Sequence, residues 1–386
     1  MDSRLRHPSQ PVSFRKLPGV WNLAAAILIA AFCTVESVAQ TNESQPKRES
    51  VPVRVMGYYA WWMGDVWKST DLSLYDRLIF FTLRPDSSGR ITETHGWPEA
   101  WEGLIDAAGD AGTAIVPTVA VMDGALIRSL FTDSLRSEVL LKEIMDLLRV
   151  PDVDGVHLDV ELFEEGSAAI RDGYSSFVEA LDVRMSVEFP EKDLSIFMPA
   201  FDQSGIFDEI RLAKAADVLV VQGYDLHWLT GPVAGPVATL RGWKGANWKS
   251  IVDRYLAHGV PLDKVVMAIP YFGYEWPTES DEVGSPTRGP GQKITLIPVD
   301  SMLLPLIQIS ALDRIRQYGG VRDSISGSPY YVFESEDGWY QGWFEDAVSL
   351  REKSVFLREF GLGGVAVFLI GYDGGRLDYV LRNSFR

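Results

Sequence analysis

The sequence predicts an α/β fold: a closed (β/α)8 barrel carrying a small α+β insertion between its seventh and eighth strands. Two observations carry this expectation. Compact apolar runs recur about every forty residues along the 386-residue chain, each near-continuous and bounded by turn residues, as strands buried on both faces are. Segments with helical periodicity lie between most of them, and strand–helix alternation over eight units points to a barrel. A doubly wound open sheet is the alternative. It is weakened because no GxGxxG or phosphate-binding loop follows the first strand.

The expected strands are VRVMGYYA (53–60), DRLIFFTL (76–83), TAIVPTVAV (113–121), VDGVHLDVE (153–161), LSIFMPA (194–200), DVLVVQGY (217–224), KVVMAIPYFG (264–273) and GGVAVFLIG (363–371). Helices are expected over Ser134–Leu148, Tyr174–Ser186, Ala246–His258 and Glu345–Phe360. The interval between the last two strands is too long for one helix. PYYVFESEDGWYQGWFED (329–346) reads there as a hairpin turning at Glu336-Asp337-Gly338, so an insertion is expected over about 274–342.

The N-terminus reads as a signal peptide over residues 1–39. Arg4, Arg6, Arg15 and Lys16 precede an apolar stretch, Leu23–Val35, and Ser37-Val38-Ala39 forms a small-residue cleavage site. Residues 40–51 read as a polar linker and 52–386 as the barrel. Secretion, or retention in a periplasm, is the expected localisation, with no membrane attachment after cleavage. Cys33, the single cysteine, lies in the leader, so the mature protein uses no disulfide and no thiol chemistry. The formal charge is −17. Losing a leader with more basic than acidic residues makes the chain more acidic still, which excludes nucleic acid as a natural partner. A monomer is expected. The five histidines are scattered without ligand spacing, so no metal and no cofactor are implied.

DGVHLDVE (154–161) carries the chemistry. Side chains alternate along a strand, so His157, Asp159 and Glu161 share one face, and Val156, Leu158 and Val160 the other. Strand ends at the carboxyl face of a barrel hold its active site, which puts Glu161 at the mouth. Two carboxyls this close cannot both ionise cheaply, so one is held protonated. A protonated carboxyl near neutral pH can donate to a leaving oxygen. The competing reading is a buried polar network that only holds the barrel together.

DGVHLDVE resembles the DGxDxDxE motif of glycoside hydrolase family 18, the chitinase-like enzymes. The resemblance extends to QGYD (222–225), which is similar to the family's MxYD, and to DLHWLTGPVAGPVATL (225–240). KVVMAIPYFGYEW (264–276) resembles the seventh-strand pattern. GYYAWW (57–62) and DRLIFF (76–81) fit the first two strands, and residues 343–375 the last helix and strand. The resemblance implies hydrolysis of a glycan with N-acetylated sugars, in which the substrate's own acetamido oxygen attacks the anomeric carbon. It implies Glu161 as general acid and then base, and Asp159 orienting the acetamido group. Tyr224 would hydrogen-bond that group, and Asp225 would bind the sugar. Tyr58 would line the floor, and Trp61, Trp62 and Trp228 are stacking candidates. Two departures stand out. His157 replaces an aspartate, and it is expected to hydrogen-bond Asp159 and, when protonated, hold it ionised. Phe368 replaces the tryptophan that floors the cleaved subsite. Two other readings are a silent carbohydrate-binding barrel and a hydrolase with a second protein carboxylate, Asp202 or Asp225.

Overall fold

The computed structural model describes residues 53–243, 245–299 and 308–386. The leader read at 1–39 and the linker at 40–51 lie outside the described residues. The barrel strands are β1 (Arg54–Ala60), β2 (Arg77–Pro85), β3 (Ala114–Val121), β4 (Gly155–Val160), β5 (Asp193–Met198), β6 (Val218–Gln222), β7 (Val265–Pro270) and β8 (Gly364–Phe368). Each pairs in parallel with its chain neighbour. The ring closes through β1, which pairs with β2 at Tyr58↔Ile79 and with β8 at Gly57↔Val367. The expected closed barrel is therefore the observed one.

The strands form because their runs are apolar on both faces. Val156, Leu158 and Val160 are almost fully buried toward the helices, each contributing roughly 1.5–3 kcal/mol. The outer helices start at side-chain caps: Ser167 for Ala168–Glu188, Asn247 for Trp248–Ala257 and Asp346 for Ala347–Phe360. Each cap satisfies a backbone N–H that the first turn leaves free. The last of these helices stops at Gly361, whose φ of 67° suits a left-handed cap. Between β1 and β2 the connection is three short 3₁₀ turns rather than a helix.

β7 stops earlier than its apolar run suggests. Tyr271 makes the last barrel hydrogen bond, donating its N–H to Phe368 O at 2.7 Å. The chain then enters a second sheet at Phe272. Gly273 permits that turn, because a Cβ there would stand 2.0 Å from Trp343 O. The second sheet comprises Phe272–Thr278, Gln292–Thr295, Ile309–Ser310, Val321–Arg322, Pro329–Ser335 and Gly338–Trp343, with the helix Ala311–Tyr318 alongside. The hairpin read at 329–346 is its antiparallel pair, Ser335 facing Gly338.

Candidate active site

β4 sets the site's geometry. Its neighbours are fixed by register: Thr118 and Ser195 flank His157, and Ala120 flanks Asp159. Glu161 leaves the strand with its N–H still bonded to Val121 O, 3.0 Å away. The three ionisable side chains therefore climb from the interior to the mouth. His157 is fully buried, Asp159 is 5% exposed, and Glu161 is partly open to solvent.

His157 departs from expectation. Its Nε2 shares a 3.0 Å hydrogen bond with Tyr58 Oη, and its Nδ1 a 2.9 Å bond with Ser195 Oγ. Both ring nitrogens are thus committed away from Asp159. Burial pushes its pKa down to about 3, because an imidazolium there would lose its hydration without gaining a carboxylate partner. The ring stays neutral, so it does not hold Asp159 ionised. The ring is fully buried and holds Tyr58 through Nε2.

Both carboxyls are shifted upward, where only one was expected to be. Burial, and then the charge of Glu161, hold the Asp159 carboxyl well above the ordinary carboxylate range. Its Oδ1 is buried and has no hydrogen-bond partner among the described residues. Burial and then the charge of Asp225 raise Glu161 to about 7. Glu161 can thus keep its proton near neutrality while remaining reachable from outside.

β6 delivers the next pair. Gly223 donates its N–H to Ala268 O at 3.1 Å, and a Cβ on it would come within 2.4 Å of that oxygen. This close approach lets Tyr224 and Asp225 emerge beside β7. Asp225 sits at φ 56° and accepts a 2.8 Å hydrogen bond from Tyr274 Oη. Burial raises its pKa, opposed by Tyr274 and by Lys293. Phe368, half-buried at the end of β8, is ringed by Tyr58 at 5.4 Å, Phe81 and Tyr224 at 5.8 Å and Phe272 at 6.3 Å. Together they make an aromatic basin near enough to Asp159 and Glu161 for those charges to act on Tyr58 and Tyr224. Trp61 lies outside this cluster, stacked on His95 at 3.9 Å and edge-on to Trp62 at 5.6 Å. Trp62 packs edge-on against Phe81, and Trp228 is a rim residue, 48% exposed.

Glu161 also lines a cavity of about 360 Å³ among the ends of β4, β5 and β6, together with Phe197, Phe201, Phe207, Asp202 and Gln222. Asp202 is fully occupied, accepting from Ser204 Oγ and from the N–H groups of Gly205 and Phe207. It holds its own loop through these bonds, while lining the same cavity as Glu161. Sequence reasoning missed Ser195, Phe81, Phe272, Tyr274 and Lys293. Ser195 is a single polar residue inside LSIFMPA, and Phe272 and Tyr274 share parity in PYFGYEW, so those signals existed. Lys293 has none, because only the insertion sheet brings it near.

Residues 122–373 match the model described as Glycosyl hydrolases family 18. The chain is 23% identical over 225 residues to the cortical fragment-lytic enzyme of Bacillus anthracis, covering 56% of this chain and 46% of that protein. It is 22% identical over 282 residues to the di-N-acetylchitobiase of Mus musculus, covering 66% and 69%. It spans about half the length of several such curated relatives. The crystal structure of a chitinase from Chromobacterium violaceum superposes with a TM-score of 0.68 at 19% identity, covering 86% of this chain and 98% of that one, a likeness of fold. With a family model that spans most of the barrel, on a chain whose β4 places Asp159 and Glu161 at the carboxyl face, this protein belongs to glycosyl hydrolases family 18.

Proposed function

We propose that this protein is a retaining glycosidase cleaving glycans at β-linked N-acetylglucosamine by substrate-assisted catalysis. One observation carries the reading. Glu161, pushed up to about 7, stands two residues beyond a buried Asp159 whose Oδ1 has no partner among the described residues. In this scheme the sugar to be cleaved lies on Phe368, and its leaving group points into the Phe201 cavity. Glu161 gives its proton to the glycosidic oxygen as the acetamido oxygen attacks the anomeric carbon. Asp159 Oδ1 accepts the acetamido N–H and fixes its direction. Glu161, now a carboxylate, takes a proton from water. That water opens the cyclic intermediate with net retention.

The motif variant fits this scheme. His157 acts as a neutral strut that fixes Tyr58 through one nitrogen and Ser195 through the other. Export through the leader at 1–39, and action as a monomer, are part of the same proposal. N-terminal sequencing and sedimentation of the exported protein test them.

The decisive experiment incubates the protein and Glu161→Gln with N-acetylglucosamine oligomers and follows products by mass spectrometry. Loss of the acid should lower turnover about 10²–10⁴-fold. Binding without cleavage in both proteins would replace this reading with a carbohydrate-binding barrel, to which Phe368 in place of tryptophan is the pointer.

A further inference from the structure

The insertion sheet supplies one wall of the cleft. Residues two apart on a strand share a face, and directly paired residues on antiparallel strands share it too. Phe272 and Tyr274 alternate on one strand, and Lys293 on the neighbouring strand pairs with Tyr274. All three therefore face the same way. The hydroxyl of Tyr274 marks the direction, since it ends on Asp225.

Lys293 is unusual on this wall. Its ammonium lies 4.5 Å from the centroid of Phe272, and Phe272 is itself part of the basin, edge-on to Tyr224 at 5.6 Å. Among the described residues it forms no ion pair and no hydrogen bond. Burial lowers its pKa, and the charge of Asp225 acts on it in the opposite sense. A cation–π contact compensates only in part for lost hydration. The ammonium thus borders a cleft lined by the carboxyls Asp159, Glu161 and Asp225, and Asp225 is the one whose charge acts on it. An uncharged oligosaccharide gives such a cation little to answer. A carboxylated one would pair with the ammonium and answer a charge that the aromatic contact leaves only partly compensated.

We propose that Lys293 is a specificity-determining residue that reads a carboxylate on the glycone, the substituent that a 3-O-lactyl ether of N-acetylglucosamine presents. The inference rests on the glycosidase reading for the placement of the sugar in the basin. The cavity that the same reading gives to the leaving group is lined by residues from 161–165 and 197–207 and by Gln222, and none of them belongs to the insertion sheet. Lys293 therefore meets the glycone and not the aglycone.

The test measures binding by calorimetry in a Glu161→Gln background, so that ligands stay intact. Two probes of equal length are compared: a tetrasaccharide of N-acetylglucosamine, and one alternating it with N-acetylmuramic acid. Lys293→Met should weaken the muramic probe about 10- to 100-fold, the worth of a charge-assisted hydrogen bond, and the neutral probe far less. Lys293→Arg should preserve the difference, and added salt should shrink it. Equal weakening of both probes, or none, overturns the inference, as does binding of neither. Cleavage by the Glu161-intact protein is scored separately. Discrimination without cleavage sinks the glycosidase reading and leaves the role of Lys293; cleavage without discrimination does the reverse.

Discussion

His157→Gln tests the assignment of a neutral, structural imidazole at the heart of the barrel. Histidine titrates near pH 6.5 in an unfolded chain and at about 3 in the folded protein. Between those values the unfolded state binds more protons, so this group's contribution to stability is full above pH 6.5 and falls as pH drops toward 3. At pH 5.0 one such group costs about 2 kcal/mol relative to pH 7.5. A glutamine amide has a donor and an acceptor for Tyr58 and Ser195 but does not titrate. The variant should lose about 1–3 kcal/mol at pH 7.5 from imperfect hydrogen bonds. Its further loss between pH 7.5 and 5.0 should then be about 2 kcal/mol smaller than that of the wild type. Asp159 and Glu161, raised in the folded state, act in the opposite direction over this window. They are present in both proteins and largely cancel in the comparison. Urea unfolding at the two pH values gives the double difference by linear extrapolation. Equal pH responses, within about 0.5 kcal/mol, would refute the reasoning and mean that His157 titrates normally when folded.

Other outcomes follow from the same structure. The alkaline limb of kcat/KM should fall near pH 7, where Glu161 loses its proton, and Asp225→Asn should move that limb to lower pH by removing a charge that raises Glu161. A limb that stays in place would remove Asp225 from the account. Away from the site, Lys353 Nζ and Glu345 Oε2 form a 2.7 Å pair with both side chains 1% exposed. Lys353→Met should cost about 3–5 kcal/mol by leaving a buried carboxylate unpaired, and adding Glu345→Gln should recover much of it; calorimetric melting checks both. An additive loss would mean that the pair is not coupled.

The barrel was legible in the sequence because strands buried on both faces leave a one-dimensional trace. A run such as DVLVVQGY is short, apolar and bounded by polar turns, and eight of them with helices between admit few folds. The parity of DGVHLDVE likewise assigned Asp159 and Glu161 to one face before any coordinates, since alternation is a local property of extended backbone. The partners of those side chains were not local. His157 was expected to serve Asp159, two residues away on its own strand. The tertiary fold offered it Tyr58 and Ser195 from two other strands, and desolvation then settled its charge. Lys293 is a more distant case, because only the pairing of 292–295 with 272–275 carries an insertion residue to the edge of the basin. By itself the sequence determined the barrel, the order of its strands and the position of the acid pair. The tertiary structure alone decided the hydrogen-bond partners, the neutral state of His157 and the charge on the cleft wall. Those depend on distance and burial, which are set by strands far apart in the chain.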